Sequence, residues 1–520
     1  MIIFRFLLFF FLIATGCISQ GADLKIVWNE KFDNPGSLQS WAGANSATWI
    51  KNLEKGNAVY LKNEHEPSSC SILYKLPNEM ILPGSVHCSA WIKWRNVSEK
   101  PNEWNGVKFM LVIDSSSTGR SWLQKNLPAG TSEWQRVNFD ALVSPGTTNI
   151  TLHLGLENVS GEVWFSDITL VQSIISEDSL LSLRHENIED THPQHHRLRG
   201  AMISPSSFTI EDLNTIHSWG ANLLRWQLIY TLGNPTDEEY DQWLANSLDK
   251  LEKFLPEIVK RNMLIVLDLH SPPGGIRGSG GYVTAAGLIW KERRYQDKFV
   301  NIWENIAQRF KDVPGIWGFD LMNEPADDNV AEGLDSWQKL VERTAWAIRD
   351  IDPNRTLIIE PNHWGNPDAF VAFHPLAMDN IVYSPHFYYP HQFTHQALNK
   401  PDEANIRYPG EINGMLWNKE QMRKALQPVF DFQKKYNVPI YIGEFSAIRW
   451  APDQSAYRYL RDAIELFEEY GWDWSYHAYR EWHGWSVEHN ENYKDINRAS
   501  EPTLRQKLLM EYLEKCKNNQ

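Results

Sequence analysis

The sequence predicts an all-β sandwich or jelly-roll domain followed by an α/β domain of the (β/α)8 TIM-barrel type. Two observations predict this order. Short β-branched and aromatic runs, separated by Gly, Pro, Asn and Ser, fill residues 23–172 without a long helical pattern. Beyond residue 196, eight apolar strand-like runs alternate with amphipathic helix-like stretches. We therefore expect domains at 23–172 and 197–516, joined by a linker at 173–196.

The first 19 residues have the pattern of a signal peptide. Arg5 precedes an apolar run from Phe6 to Ile13, which is too short to span a bilayer because a span needs about 20 apolar residues. Residues 14–17 (Ala-Thr-Gly-Cys) resemble a bacterial lipoprotein box, which would place a lipid anchor at Cys17, but we favour cleavage after Ser19. In either case we expect a mature chain outside the cytoplasm, secreted or lipid-anchored at the cell surface, with no membrane span.

Composition narrows the partners of the chain. The 520 residues carry a net charge of −15, which should repel polyanions, so nucleic acid and anionic membrane surfaces are poor partners. The 24 Trp residues are numerous. An indole ring stacks well on flat apolar faces such as those of sugars, although two large cores would also explain the number.

The sandwich domain has clear strand-like runs, at 58–61, 86–94, 107–113 and 150–156. Cys70 and Cys88 both lie here, and the sequence leaves open whether they pair or remain buried thiols. The linker is polar and rich in His and Glu, and a solvated segment is favoured over a metal-binding tract.

The second domain supplies the eight βα units. Its strand-like runs are at 198–203, 221–228, 263–269, 316–322, 356–360, 381–385, 439–443 and 471–476, and its clearest helical stretches are at 237–261, 290–311, 334–351, 419–436 and 453–470. A doubly wound open sheet is the alternative, but the glycine-rich stretch that begins at Ser271 has no G-x-G-x-x-G order.

Ionisable and aromatic residues collect where these strands end, which is where a barrel places its active site. The strand-end residues are Arg225, His270, Asn323, Glu324, Glu360, His386, Tyr388 and Glu444. Buried strands would not carry such groups without a reason, because an unpaired buried charge costs several kcal/mol.

Glu324 and Glu444 are the candidate catalytic residues. They end the fourth and seventh strands, which we expect to face each other across the barrel, with the carboxyls about 5–5.5 Å apart. That separation suits hydrolysis of a glycosidic bond with retention of configuration. Arg225 beside Glu444 would lower the pKa of that carboxyl, and an ionised Glu444 would raise the pKa of Glu324.

The segment from Gly318 to Pro325 contains Asn-Glu-Pro and resembles the signature of glycoside hydrolase family 5, the cellulases of clan A. The strand-end residues follow in the family's order over about residues 197–515. The resemblance implies that Glu324 is the acid/base and Glu444 the nucleophile. It implies that Asn323 holds the sugar 2-hydroxyl, that His386 and Tyr388 bond to the two carboxylates, and that Arg225 and His270 support the nucleophile.

Two aromatic assignments depend on further resemblance. The family has a Trp platform at the end of strand eight, and in the aromatic stretch 472–485 we choose Trp474 ahead of Trp482. More loosely, residues 23–172 resemble jelly-roll carbohydrate-binding modules, although a purely structural sandwich is the alternative.

Other polar residues have structural explanations. Glu360 is either a substrate-contacting carboxylate or the partner of an Arg, and Asp268 and Asp320 suggest stabilising pairs. The spacing of His386, His391 and His395 could suggest a metal, but the resemblance gives His386 another role and the other two lie in a polar loop. We expect no metal and no cofactor.

The sequence therefore predicts a secreted, monomeric, retaining endo-β-glycanase that acts on β-1,4-glucan-type polysaccharide or oligosaccharide. A β-mannanase or another β-glycan hydrolase is the alternative, because loop shapes decide the substrate. A non-catalytic glycan-binding protein and a metal-dependent barrel hydrolase are the candidates from other classes.

Overall fold

A computed structural model describes residues 22–77, 82–117, 119–144, 146–175, 197–231, 235–275, 287–327, 330–331 and 333–516. The expected signal peptide, with Cys17, lies outside these residues, and so does the linker from residue 176 to 196. Among the described helices, none has the length and apolar character of a membrane span.

In the described part of the chain, the first domain forms ten strands in two antiparallel sheets, which confirms the all-β prediction. The strands are β1 (Ala22–Glu30), β2 (Ala47–Leu53), β3 (Gly56–Asn63), β4 (Ser69–Leu76), β5 (Gly84–Val97), β6 (Gly106–Ser115), β7 (Gly119–Gln124), β8 (Gly130–Val143), β9 (Thr147–Glu157) and β10 (Gly161–Ile175). One sheet has the order β2-β3-β10-β5-β8 with β1 also paired to β10, and the other has the order β4-β9-β6-β7. Residues 173–175, predicted as the start of the linker, belong to β10.

The sandwich core forms between the two sheets from alternate residues of each strand. On β8, for example, Val137, Phe139 and Ala141 are buried while their neighbours in sequence are not. Cys88 is buried on β5 and Cys70 lies half-buried on β4, and both are free thiols. The structure thus favours the thiol alternative over a disulfide.

The second domain is a closed parallel barrel, as predicted. Strands one to eight are β11 (Arg199–Ile203), β12 (Leu223–Gln227), β13 (Leu264–Asp268), β14 (Ile316–Asp320), β15 (Thr356–Ile359), β16 (Ile381–Tyr383), β20 (Tyr441–Ile442) and β22 (Asp473–Tyr479). Strands six and seven continue as β17 (His386–Phe387) and β21 (Glu444–Phe445), and a hairpin of β18 (Gly410–Ile412) and β19 (Met415–Trp417) lies between them. The β17–β21 pair and the Tyr383–Ile440 bridge close the barrel between strands six and seven.

Helices surround the barrel. They are α1 (Ile210–Ser218), α2 (Asp237–Val259), α3 (Arg293–Phe310), α4 (Trp337–Ile351), α5 (His391–Thr394), α6 (Lys419–Tyr436), α7 (Ser455–Tyr470) and α8 (Leu504–Glu514). Thr209 and Thr236 begin α1 and α2 with capping boxes, in which the threonine side chain accepts from a backbone N–H of the first turn. Between strands five and six, the crossover contains a short 3-10 helix, Pro367–Val371.

An apolar layer inside the barrel supports the polar groups above it. Leu223, Val266, Ile358 and Val382 belong to this buried layer, together with Trp317.

Because side chains alternate along a strand, the residues two positions further on also point inward. On strands two, three, five and six these positions are Arg225, Asp268, Glu360 and Ser384. The period of the strands therefore directs charged groups into the mouth of the barrel.

Candidate active site

Glu324 and Glu444 lie side by side at the carboxyl end of the barrel. One oxygen of each carboxylate and one nitrogen of His386 all lie within 4.8 Å of one another. Both glutamates are buried, with 8% and 3% of their surface exposed. This arrangement fits the close pair predicted from the sequence, and it is tighter than the roughly 6.5–9.5 Å that leaves room for a water in inverting enzymes.

Glu324 has an unusual backbone conformation. Its φ is +45°, in the left-handed region that non-glycine residues rarely adopt. Its backbone N–H donates to Glu360 Oε2 at 2.8 Å, which fixes the peptide in place. The turn directs the carboxyl group towards His386, whose Nδ1 lies 2.9 Å from Glu324 Oε1.

Glu444 is held by donors on both oxygens. Arg225 Nη1 donates to Oε1, and the Tyr388 hydroxyl donates to Oε2 at 2.8 Å. Both contacts were expected from the sequence. A carboxylate that accepts charge-assisted hydrogen bonds in a buried site is stabilised in its ionised form.

Arg225 organises the floor of the site. Its guanidinium is fully buried and lies 2.9 Å from Asp320, 3.0 Å from Glu360 and 3.2 Å from Asp268. These contacts assign Glu360, Asp268 and Asp320 to a buried ion network with Arg225, in agreement with the structural explanation of these carboxylates. Such a network holds the arginine rigidly, since its planar fork must satisfy several carboxylates at once.

His386 and His270 each contact a network carboxylate. His386 Nε2 lies 3.1 Å from Glu360 Oε1, and His270 Nδ1 lies 2.8 Å from Asp268 Oδ2. Burial opposes a charge on His386, but the carboxylates of Glu360 and Glu444 raise its pKa well above the usual value. His386 contacts carboxyl groups through both nitrogens, which favours its charged form.

The two glutamates have opposite electrostatic environments. Burial raises the pKa of Glu324, and the charges of Glu444 and Glu360 add to the rise against the opposing hydrogen bond from His386. Burial would also raise the pKa of Glu444, but the cations of His386, His477 and Arg225 hold it well below the usual range. Glu324 is therefore the group that retains a proton, and Glu444 is the group that stays ionised.

Asn323 has an unused donor. Its Oδ1 accepts from Arg225 Nη2 at 3.1 Å, while its buried Nδ2 makes no hydrogen bond among the described residues. A buried amide group without a partner is costly, so a ligand hydroxyl would satisfy it.

The choice of Trp474 as the sugar platform is wrong. Trp474 is fully buried, packs edge-on against Phe445 and donates from Nε1 to Glu468 on α7. It lies on the outer face of strand eight, between the barrel and the helices. Trp482 is half-buried in the following loop, where it packs against Trp450 and Trp485.

Strand eight instead directs His477 into the site. Its Nδ1 lies 2.6 Å from the Tyr388 hydroxyl and 3.6 Å from Glu444 Oε2, and its Nε2 lies 3.4 Å from Glu481. The sequence interpretation missed both His477 and Glu481. The alternation of side chains along the strand could have identified His477. Trp474 and Tyr476 share the outer face of the strand, whereas Ser475 and His477 share the inner face.

The contacts of His386 favour a hydrogen-bonded trio over a metal site. Glu324, His386 and Glu444 are close enough to be ligands, but a metal-bound histidine needs a free nitrogen lone pair. Both nitrogens of His386 face carboxylate oxygens. His391 and His395 stack on each other with ring centroids 3.9 Å apart, and His395 packs edge-on against Tyr388.

Fold and site together define a barrel glycoside hydrolase: a closed parallel barrel that holds a protonated and an ionised carboxyl group at the ends of strands four and seven. Comparison with known proteins agrees. The family model described as Cellulase (glycosyl hydrolase family 5) matches residues 191–496.

Similar proteins support the same family. Endoglucanase C of Acetivibrio thermocellus is 30% identical over 52% of this chain and 83% of its own length, and Endoglucanase C307 of Clostridium sp. has the same values. A solved structure described as a glycoside hydrolase is 25% identical, with a TM-score of 0.50, over 62% of this chain and 99% of its own. The chain belongs to glycosyl hydrolase family 5 and is a glycoside hydrolase.

Proposed function

We propose that the protein is a secreted, retaining endo-β-glycanase that hydrolyses β-1,4-glucan-type polysaccharide. The observation that carries the proposal is the close approach of two carboxyl groups whose surroundings shift their pKa values in opposite directions. One group can then donate a proton while the other attacks, as double displacement requires.

In the first step, Glu324 transfers its proton to the glycosidic oxygen as the bond from that oxygen to the anomeric carbon breaks. Glu444 attacks the same carbon and forms a glycosyl ester. The free sugar leaves with the proton. The Asn323 amide supplies a donor for the sugar 2-hydroxyl, whose hydrogen bonds strengthen in the transition state.

In the second step, the ionised Glu324 removes a proton from water. The water oxygen attacks the anomeric carbon, the ester bond breaks and Glu444 leaves as a carboxylate. Arg225 and Tyr388 stabilise that carboxylate because both donate to it. Two inversions give net retention.

The substrate class is supported by the relatives named as endoglucanases. Mannan is the alternative substrate, because the residues at the centre of the site do not select the sugar units further along the polysaccharide. Purified β-1,4-glucan, mixed-linkage glucan, xyloglucan and mannan distinguish the two. Release of a range of oligosaccharides from long chains indicates endo action, whereas a single short product indicates exo action.

The assignment of the two glutamates is tested with Glu324→Gln and Glu444→Gln, which remove the acid and the nucleophile while preserving shape. Each variant should lose at least about a thousandfold in kcat, with the fold intact by circular dichroism. Glu465→Gln, on the outer helix α7, is the control and should keep wild-type activity. Appreciable hydrolysis by either site variant refutes the roles of acid and nucleophile.

We also propose that the N-terminal domain binds glycan through two exposed indoles. Trp104 and Trp122 are 60% and 56% exposed, and neither ring packs on another described ring or cation. Gln124 donates to the Trp104 carbonyl and lies two positions from Trp122 on β7, so its side chain shares a face with Trp122. Trp41 and Trp94, by contrast, are buried in the core.

Export and a monomeric state complete the proposal. The basic and apolar start of the chain supports a signal peptide, and the mass of the mature protein distinguishes cleavage after Ser19 from lipid attachment at Cys17. Light scattering of the purified protein tests for a monomer.

A further inference from the structure

The wall of the site beside strand eight is polar where an aromatic platform was expected. His477 points inward from β22 with 13% of its side chain exposed, and it lies between the Tyr388 hydroxyl and Glu481. None of these groups except Tyr388 has a role in the mechanism above. The pair of His477 and Glu481 therefore needs its own explanation.

The hydrogen-bond donors and acceptors along this wall are fixed by the carboxylates of Glu444 and Glu481 at its two ends. Because Tyr388 donates its only hydroxyl proton to Glu444 Oε2, its oxygen must accept from His477 Nδ1–H. The opposite nitrogen, Nε2, lies 3.4 Å from Glu481 Oε2. A carboxylate there favours an N–H on Nε2 as well, which makes the ring an imidazolium.

Glu481 is itself held in place. Gln227, buried on the inner face of strand two, donates from Nε2 to Glu481 Oε2 at 3.1 Å. Burial would raise the pKa of Glu481, but the hydrogen bond and charge of His477 lower it. Glu481 thus remains ionised next to the imidazole.

Charged groups surround His477 on every side. Glu444 of strand seven and Glu481 favour its charge, whereas burial and the His270 imidazole of strand three oppose it. His395, after α5, also lies near enough to interact with it electrostatically. The carboxylates outweigh the other groups, so the pKa of His477 is raised.

We propose that Glu481 is a positioning residue that acts through His477 and Tyr388 on the nucleophile Glu444. Glu481 holds the ring in the orientation that donates to Tyr388, and Tyr388 in turn presents its proton to Glu444. The charge of His477 also stabilises Glu444 as a carboxylate, both before attack and when it leaves the glycosyl ester. The inference rests on the proposed double displacement.

The test uses Glu481→Gln, His477→Phe and the double variant in the full-length chain. The first keeps a hydrogen-bonding partner but removes the charge, and the second keeps a ring but removes both nitrogens. Loss of the Glu481 charge should lower the pKa of His477, because removing a neighbouring opposite charge shifts the pKa of a histidine by about one unit or more. The part of the descending limb of the kcat/KM pH profile that follows deprotonation of His477 should then move about one unit lower, with an approximately tenfold loss on that part of the limb.

The double variant separates an indirect from a direct role. If Glu481 acts through His477, Glu481→Gln should cause no further loss in the His477→Phe background. An equal loss in both backgrounds, or an unchanged pH profile in Glu481→Gln, overturns the proposal. Glu465→Gln is the matched control for loss of a carboxylate and should leave the profile unchanged.

A direct titration keeps this inference distinct from the proposed function. NMR of the His477 imidazole reports its midpoint without any substrate. The midpoint should fall by about one unit in Glu481→Gln, and an unchanged midpoint overturns the inference even in an active enzyme. Failure of the proposed function would instead appear as wild-type protein that hydrolyses none of the β-glycans.

Discussion

Glu360 connects the two halves of the active site, and its replacement by Gln should damage both stability and rate. Its fully buried carboxylate contacts Arg225 at 3.0 Å and His386 at 3.1 Å through Oε1, and it accepts the Glu324 backbone N–H through Oε2 at 2.8 Å. Every contact of this carboxylate is thus with a donor. A glutamine side chain offers one oxygen and one NH2 group. On one side, therefore, its NH2 group must face an N–H donor of a neighbouring residue.

The expected cost follows from these contacts. One buried N–H without an acceptor costs about 1–3 kcal/mol, and removing one partner of a buried ion pair costs about 3–5 kcal/mol when no other partner remains. Arg225 keeps Asp268, Asp320 and Glu444. We therefore expect Glu360→Gln to lower the free energy of unfolding by about 3 kcal/mol.

The rate should fall for a related reason. The Glu324 peptide, in its left-handed conformation, loses the acceptor that holds it, and His386 loses the carboxylate that contributes most to its raised pKa. A misplaced acid lowers kcat by roughly 10–100-fold. Denaturant unfolding and steady-state kinetics on a soluble β-glucan measure the two effects. Glu342→Gln, on the exposed face of α4, is the control. If Glu360→Gln unfolds like the control and keeps its kcat, the argument for a connecting carboxylate is wrong.

Four further predictions follow from the structure. Trp474→Phe should lower the free energy of unfolding by about 1–3 kcal/mol through the lost hydrogen bond and volume, with unchanged KM, and a raised KM would restore its role as a platform. Trp104→Ala and Trp122→Ala should weaken retention on insoluble glucan in a pull-down while hydrolysis of soluble oligosaccharides stays at the wild-type level, and undiminished retention would favour a purely structural sandwich. Because the pKa of Glu444 is lowered and that of Glu324 is raised, kcat/KM should persist below the usual carboxyl range and decline at higher pH as Glu324 and His477 lose their protons; a rise in activity above that range would contradict the roles. Treatment with a chelator should leave activity unchanged, and a loss that divalent ions restore would instead favour a metal-dependent hydrolase.

The barrel and most of its site were predictable because both follow from local periodicity. Alternating apolar runs locate the strands, and parallel strands must place their carboxyl ends on one face. The strand-end position therefore sufficed to bring Arg225, His386, Tyr388 and the two glutamates together. The sequence also left Glu360 with two explanations, and its contact with Arg225 decided between them.

Strand eight was misjudged because its outer face is as aromatic as a sugar platform. Trp474 and Tyr476 are large rings on the same, outer face of the strand, and they fill the space beneath the helices. The ring that lies beside the nucleophile is the small imidazole of His477, which is on the inner face. Residue type suggested the platform, but the period of the strand decided which side chain faces the site.

Contacts between elements that are distant in sequence could not be predicted from one sequence. Gln227 and Glu481 lie 254 residues apart and meet only because strands two and eight end at the same mouth of the barrel. Likewise, whether Cys70 and Cys88 pair depends on how the two sheets bring β4 and β5 together, and both thiols are free in the structure. Neither property is encoded in local spacing.

The anomeric configuration of the first sugar released is the most direct measure of how Glu324 and Glu444 work together. Proton NMR recorded immediately after enzyme is added to a soluble β-1,4-glucan oligosaccharide resolves the α and β anomers before they interconvert. Two carboxyl groups close enough to act on one glycosidic bond, with one oxygen of each within 4.8 Å of the other, predict that the β anomer appears first. Initial release of the α anomer would mean that water, rather than Glu444, attacks the sugar.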